Sequence, residues 1–299
     1  MKIKIAASLA IVLGSTFGVS AQRTRIQPKP AAEATIVFAV LNDGTRLEPI
    51  VQLEKGRLAA PVEGAQEGTL IATFNKQYYK LGRQYPVVFG GTTVGTATVR
   101  GSNEGAECAK NTANITSRVT GPALKGFVMA LATNIPVTNT VNSRVKPTAE
   151  QKAEVETLVK SEYSKNKITG LLRFHNLTAI DVDKDGMAEL VGSYWIANAK
   201  TQRAVLFFIA QKNASGKYAF GFADYRVIKE SEVMSKEIAA VDRGIYHEML
   251  LDVLDYDSDG VGEIFTHVSS FEGSGFMIYK RSGAKWTKVF EGSNYHCAY

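Results

Sequence analysis

The sequence predicts a mainly β protein: an N-terminal β sandwich or barrel-like domain, then blade-like antiparallel β units, with one linking helix. Three observations carry this. Short runs of β-branched and aromatic residues, punctuated by Gly, Asn and Asp, recur along most of the 299 residues. A single segment has both a helical cap and a helical apolar period. An aspartate-rich nonapeptide occurs twice, each time between strand-like runs. With 45% apolar residues the chain can build sizeable cores, which excludes a wholly disordered protein. Two cysteines are too few for a disulfide scaffold or a four-cysteine zinc site. The formal charge of +6 is scattered among acidic residues with no basic run, so no nucleic-acid partner is expected.

Residues 1–21 read as a signal peptide: Lys2 and Lys4, an apolar run over 5–13, and the small-residue end Val19-Ser20-Ala21. The expectation is cleavage after Ala21 and a secreted or periplasmic mature chain. The apolar run is shorter than the roughly 20 residues a spanning helix needs, and no transmembrane segment is expected after it. Export would place Cys108 and Cys297 where they can pair, the alternative being two separate thiols. Residues 22–34, with Pro28 and Pro30, read as a flexible leader.

The N-terminal β domain is expected over 35–133. Residues 35–41 are rich in β-formers, and Asn42-Asp43-Gly44 turns the chain into 46–53. Further strands are expected at 69–74, 85–89, 93–99 and 127–132, with Gly90-Gly91, Gly95 and Gly101 at turns or bulges. Residues 134–147 are polar, without an apolar period, and read as a linker. The remaining domain, 148–299, opens on the helix. Thr148 and Gln151 form a capping box, and Val155, Leu158, Val159 and Tyr163 make one apolar face. A weaker helix is expected over 229–241.

The two repeated segments are Asp181 to Val191, DVDKDGMAELV, and Asp255 to Phe265, DYDSDGVGEIF. Six of the chain's ten aspartates lie in them, which a merely soluble surface does not require. Carboxylates at positions one, three and five can turn inward around one ion. Glycine at six permits the bend, and the residue at seven can offer a carbonyl. Such an all-oxygen shell suits a hard cation, and flexible geometry with several ligands favours Ca²⁺ over Mg²⁺. An EF-hand would need an acid at position twelve, where Gly192 and Thr266 stand; the acid is at nine, as Glu189 and Glu263. The alternative is a pair of acidic turns without metal, with Lys184 partly neutralising the first.

Strand-like runs flank each loop: 171–180 before the first, then 192–197, 204–211 and 218–225; 245–254 before the second, then 266–271, 275–280 and 285–290. Four strands per unit is the content of a propeller blade. The loops begin 74 residues apart, beyond the about 40–50 residues of common blade repeats, and 229–241 absorbs the excess.

This pattern resembles the calcium loops of FG-GAP repeats, found in integrin α-chain propellers, and of the related VCBS-type repeats of exported bacterial proteins, over about 171–290. The resemblance implies two calcium sites. Asp181, Asp183, Asp185 and Glu189 would ligate one ion with the Met187 carbonyl; Asp255, Asp257, Asp259 and Glu263 would ligate the other with the Val261 carbonyl. Both loops depart from the family in carrying Glu where Asp is usual, and only two loops occur. The functional expectation is an exported calcium-binding interaction module for a protein or glycan ligand. The alternative is a secreted hydrolase, possibly polysaccharide-directed, with calcium bracing its scaffold.

Nothing else points to catalysis. His175, His247, His267 and His296 match no zinc spacing and read as structural or surface residues, and no nucleophile elbow or P-loop occurs. Glu248 with Glu272 could form a glycosidase pair. Tyr194, Trp195, Tyr279 and Trp286 read as hairpin packing more readily than as a sugar-stacking platform.

Overall fold

The run TIVFAVL forms β1 (Thr35–Leu41) and is buried on both faces, which is why it is continuously apolar rather than alternating. Ile36, Phe38 and Val40 point into one core, and Val37, Ala39 and Leu41 into another. The computed structural model describes residues 34–120, 128–137 and 144–297; the expected signal peptide, most of the leader and Phe127 lie outside the described residues. Residues 34–299 pack as one unit.

β1 pairs with β2 (Arg46–Glu54) across the Asn42-Asp43-Gly44 turn, where all three residues have positive φ. On its other flank β2 meets β6 (Ala113–Val119) at its start and the short β3 (Arg57–Ala59) at its end. β6 pairs with β5 (Thr92–Ser102), β5 with β4 (Gln84–Phe89), β4 with β7 (Val128–Thr133), and β7 returns to β1. The six strands therefore close into a barrel. A strand expected at 69–74 is instead the start of helix α1 (Thr69–Tyr78). Ile71, Phe74, Asn75 and Tyr78 are its buried positions, a helical stripe that becomes visible only when the window runs past Phe74. Phe74, Tyr78 and the following Tyr79 pack into the barrel core beside Phe38 and Tyr85.

Helix α2 (Ala149–Lys165) begins at the capping box: the Gln151 N–H donates to Thr148 Oγ1 (3.2 Å), and the Thr148 N–H donates to Gln151 Oε1 (2.8 Å). Its Val155, Val159 and Tyr163 bury against the next sheet. That sheet is a meander of β8 (Leu172–Ile180), β9 (Glu189–Ala199), β10 (Gln202–Lys212) and β11 (Tyr218–Lys229). In place of the helix expected over 229–241 stand a 3-10 turn, Glu230–Glu232, and the one-turn α3 (Ala239–Asp242). Lys236, at φ 54°, interrupts any continuous helix there. A second meander follows: β12 (Glu248–Leu254), β13 (Glu263–Ser269), β14 (Gly273–Ser282) and β15 (Lys285–Tyr295).

The layers follow from alternation along these strands. Ile264, Met277 and Tyr279 face the first meander, packing with Val191, Phe207 and Ile209. Phe265, Phe276 and Ile278 face the barrel, packing with Val37, Leu131 and Val51. The order is barrel, second meander, first meander, α2. The C-terminal end of β15 is tied to the barrel domain by a Cys108–Cys297 disulfide, Cα–Cα 5.7 Å. Among the described residues no helix is long and apolar enough to cross a membrane.

Candidate metal centre

Each acidic loop joins the first two strands of its meander, and the two are built alike. Ile180 pairs with Glu189 at the mouth of the first loop, and Leu254 with Glu263 at the mouth of the second. Position four has positive φ in both, Lys184 at 59° and Ser258 at 63°, and so does the glycine at six, Gly186 at 85° and Gly260 at 90°. A non-glycine residue in this region needs a reason, and the same reason acts twice: the chain must curl so that its amides face the carboxylates.

The hydrogen bonds repeat with the backbone. Asp181 accepts from the N–H groups of Asp185 (3.2 Å) and Gly186 (2.9 Å), as Asp255 does from Asp259 and Gly260 (both 3.1 Å). Asp185 accepts from Met187 N–H (2.7 Å), and Asp259 from Val261 N–H (2.9 Å). The acid at nine reaches back to the amide at two: Glu189 to Val182 (3.2 Å), Glu263 to Tyr256 (3.1 Å). The two loops also touch, Gly262 N–H donating to the Val182 carbonyl (2.9 Å).

Carboxylate oxygens of Asp181, Asp183 and Asp185 lie within 4.8 Å of one another, as do those of Asp255, Asp257 and Glu263. Each of these groups could hold a metal ion. Glu189 lies outside the first group and Asp259 outside the second, although both line the same loops. Met187 is exposed and Val261 packs against the core between the two meanders. The donors are all oxygens, the chemistry of a hard divalent cation.

Two basic residues unforeseen from the sequence meet these clusters. Lys280 Nζ donates to Asp257 (2.6 Å), Asp259 (2.8 Å) and Glu263 (2.8 Å). Arg281 donates to Asp183 and, at 3.2 Å, to Glu189. They are adjacent on β14, and successive strand side chains point to opposite sides, so one strand end serves both loops. No local signal marks Arg281, which lies 92 positions from Glu189. Burial raises the carboxyls of Glu189 and Glu263 to about 7; the Val182 N–H and Arg281 oppose this at Glu189, and Lys280 and the Tyr256 N–H oppose it at Glu263. Burial works against the Lys280 ammonium, but its three carboxylates outweigh burial and hold it above the usual lysine range.

The other candidates separate. Tyr194, Trp195, Tyr279 and Trp286 are all buried, so they form core and no exposed stacking platform. His247 is buried against His175, ring centroids 4.5 Å apart, and burial followed by the His175 ring pushes it down to about 3. His267 is buried beside Ser274, and His296 meets the buried Glu48 at 2.6 Å. Glu248 and Glu272 line adjoining grooves, Glu248 with Asp224 and Arg226, Glu272 with Ser274 and Tyr295. No family model, curated protein or solved structure matches the chain.

Proposed function

We propose that the two loops bind Ca²⁺ and that the protein is an exported, calcium-braced interaction module, the role implied by its resemblance to FG-GAP and VCBS-type repeats. One observation carries this reading: two separate stretches of chain adopt the same turn, with the same hydrogen bonds and the same placement of acids. A fortuitous acidic turn has no cause to recur in such detail. The ligands would be the carboxylates of Asp181, Asp183, Asp185 and Glu189, and of Asp255, Asp257, Asp259 and Glu263, with the carbonyls of Met187 and Val261. A bound ion would neutralise each cluster and pin two strands to one turn, so it would stabilise the folded state by linkage. The Cys108–Cys297 disulfide is in keeping with an oxidising compartment.

A second reading has its own support. Lys280 meets three carboxylates of the second loop, so the chain's own cations can do the bracing. Melting of the mature chain in excess calcium, in EGTA and in magnesium separates the two. With calcium at 100 times Kd, one site adds about 2.7 kcal/mol, a rise that magnesium does not reproduce and that Asp183→Ala and Asp257→Ala each reduce. Equal melting in calcium and EGTA would leave Lys280 and Arg281 as the resident counter-ions.

A further inference from the structure

A cleft of about 370 Å³ opens between β11 and β15, above the end of β12 that lies away from the acidic loop. It falls within the size range of small-molecule sites. Glu248 lines it yet is only 4% exposed. Thr266 Oγ1 (2.6 Å) and the Tyr279 hydroxyl (2.9 Å) both donate to Glu248 Oε1, which fixes the carboxyl between neighbouring strands. With both lone pairs of Oε1 engaged, a proton on this group resides on Oε2, the oxygen left for the cleft. Burial raises the group to about 7, so the neutral acid is well populated at neutral pH.

Opposite stand Asp224 and Arg226, on one face of β11. Asp224 is exposed and has no hydrogen bond or ion pair among the described residues, whereas Arg226 is held by the Tyr246 carbonyl. Lys288 and Glu291, on the β15 side, neutralise each other. The floor is opened by Gly275. A glycine inside a strand weakens it, and neither reason for accepting that cost applies here. Its φ is not positive, and a Cβ would meet nothing closer than Val268 Cβ at 3.7 Å. The missing side chain leaves the space above Met277 open.

We propose that this cleft binds a neutral saccharide of one or two rings, Glu248 Oε2 donating to it, Asp224 accepting from it and Arg226 donating from the same wall. Sugar hydroxyls both donate and accept, which suits fixed donors and acceptors set side by side. A simple anion would face Asp224, and a simple cation would face Arg226. The inference does not rest on the calcium reading, because the cleft and the loop lie at opposite ends of β12.

The test is retention of the mature, disulfide-bonded protein on an array of neutral glucose, galactose, mannose and N-acetylglucosamine oligosaccharides, with sialylated and amine-bearing glycans as charged controls. Wild type should hold one or more neutral glycans. Gly275→Val should lose at least tenfold of that binding while melting no lower than wild type, since valine suits a strand and has room. Glu248→Gln, which still presents N–H donors to the cleft, should keep most of the affinity, and Asp224→Ala should weaken it. Retention of no neutral glycan, preference for the charged controls, or equal binding by a folded Gly275→Val variant would each overturn the proposal.

Discussion

Asp252 is fully buried, and the N–H groups of Gly90 (2.9 Å), Gly91 (3.1 Å) and Val253 (2.7 Å) all end on its carboxylate, with Arg144 3.9 Å away. It is the polar anchor between the second meander and the turn joining β4 to β5. Asp252→Ala would strand three buried donors at once, and a loss of about 3 kcal/mol is expected in urea unfolding; a loss below about 1 kcal/mol would show that these amides find other partners. His247 supplies the opposite lesson in charge. Its folded value of about 3 lies below the ordinary 6.5, so protons prefer the unfolded chain. Its contribution is intact above pH 6.5 and lost as the pH falls toward about 3. His247→Gln should therefore flatten the decline of unfolding free energy with acid across that window, and an unchanged slope would assign acid sensitivity to other groups. Asp252 runs the other way: burial raises it to about 6, so protons prefer the folded chain, and keeping it ionised lowers stability as the pH rises from its ordinary value through about 6, a cost that its three amide bonds offset only in part.

At the scale of elements, the start of α2 was legible because a capping box is a four-residue statement needing no tertiary context. Thr148→Ala removes the side-chain acceptor and should cost about 1 kcal/mol, read as a lower urea midpoint at unchanged slope; no change would mean that the contacts of Tyr218 with Gln151 and Glu154 alone fix the helix start. The acidic loops were legible for the same reason, nine consecutive residues carrying the whole pattern. What could not be read depends on distance or on a window too short. Residues 69–74 resemble a strand until Asn75 and Tyr78 complete the helical stripe. β6 is a faint signal because the inward face of ANITSRV includes an alanine and a serine, so only Ile115 and Val119 mark it as a strand. Lys280 and Arg281 carry no mark of their loops: Lys280 meets the second loop through the pairing of β14 with β13 in its own meander, and Arg281 meets the first through the packing of one meander on the other. Likewise Glu248 meets Asp224 across a cleft that only the approach of β11 to β15 creates.

For the whole molecule, the question is what binds the last strand to a barrel formed some two hundred residues earlier. A polar network does part of this. The Asn294 side chain accepts from Gly64 N–H (2.9 Å) and from Asn111 (2.8 Å), and donates to Glu48 (2.9 Å), which His296 also meets. The apolar seam containing Leu251, Phe265 and Phe276 does more. The disulfide closes a loop of 189 residues over contacts that already specify the docking. Its effect should therefore fall mainly on the unfolded chain, where closing so long a loop removes up to about 5 kcal/mol of conformational freedom. The Cys108→Ser/Cys297→Ser variant should retain the native circular dichroism of the oxidised protein. Its unfolding rate in urea should match that of wild type, while refolding slows and the equilibrium midpoint drops. If unfolding accelerates instead, the bridge holds the native docking itself, and the Asn294 network and apolar seam are weaker than their geometry implies.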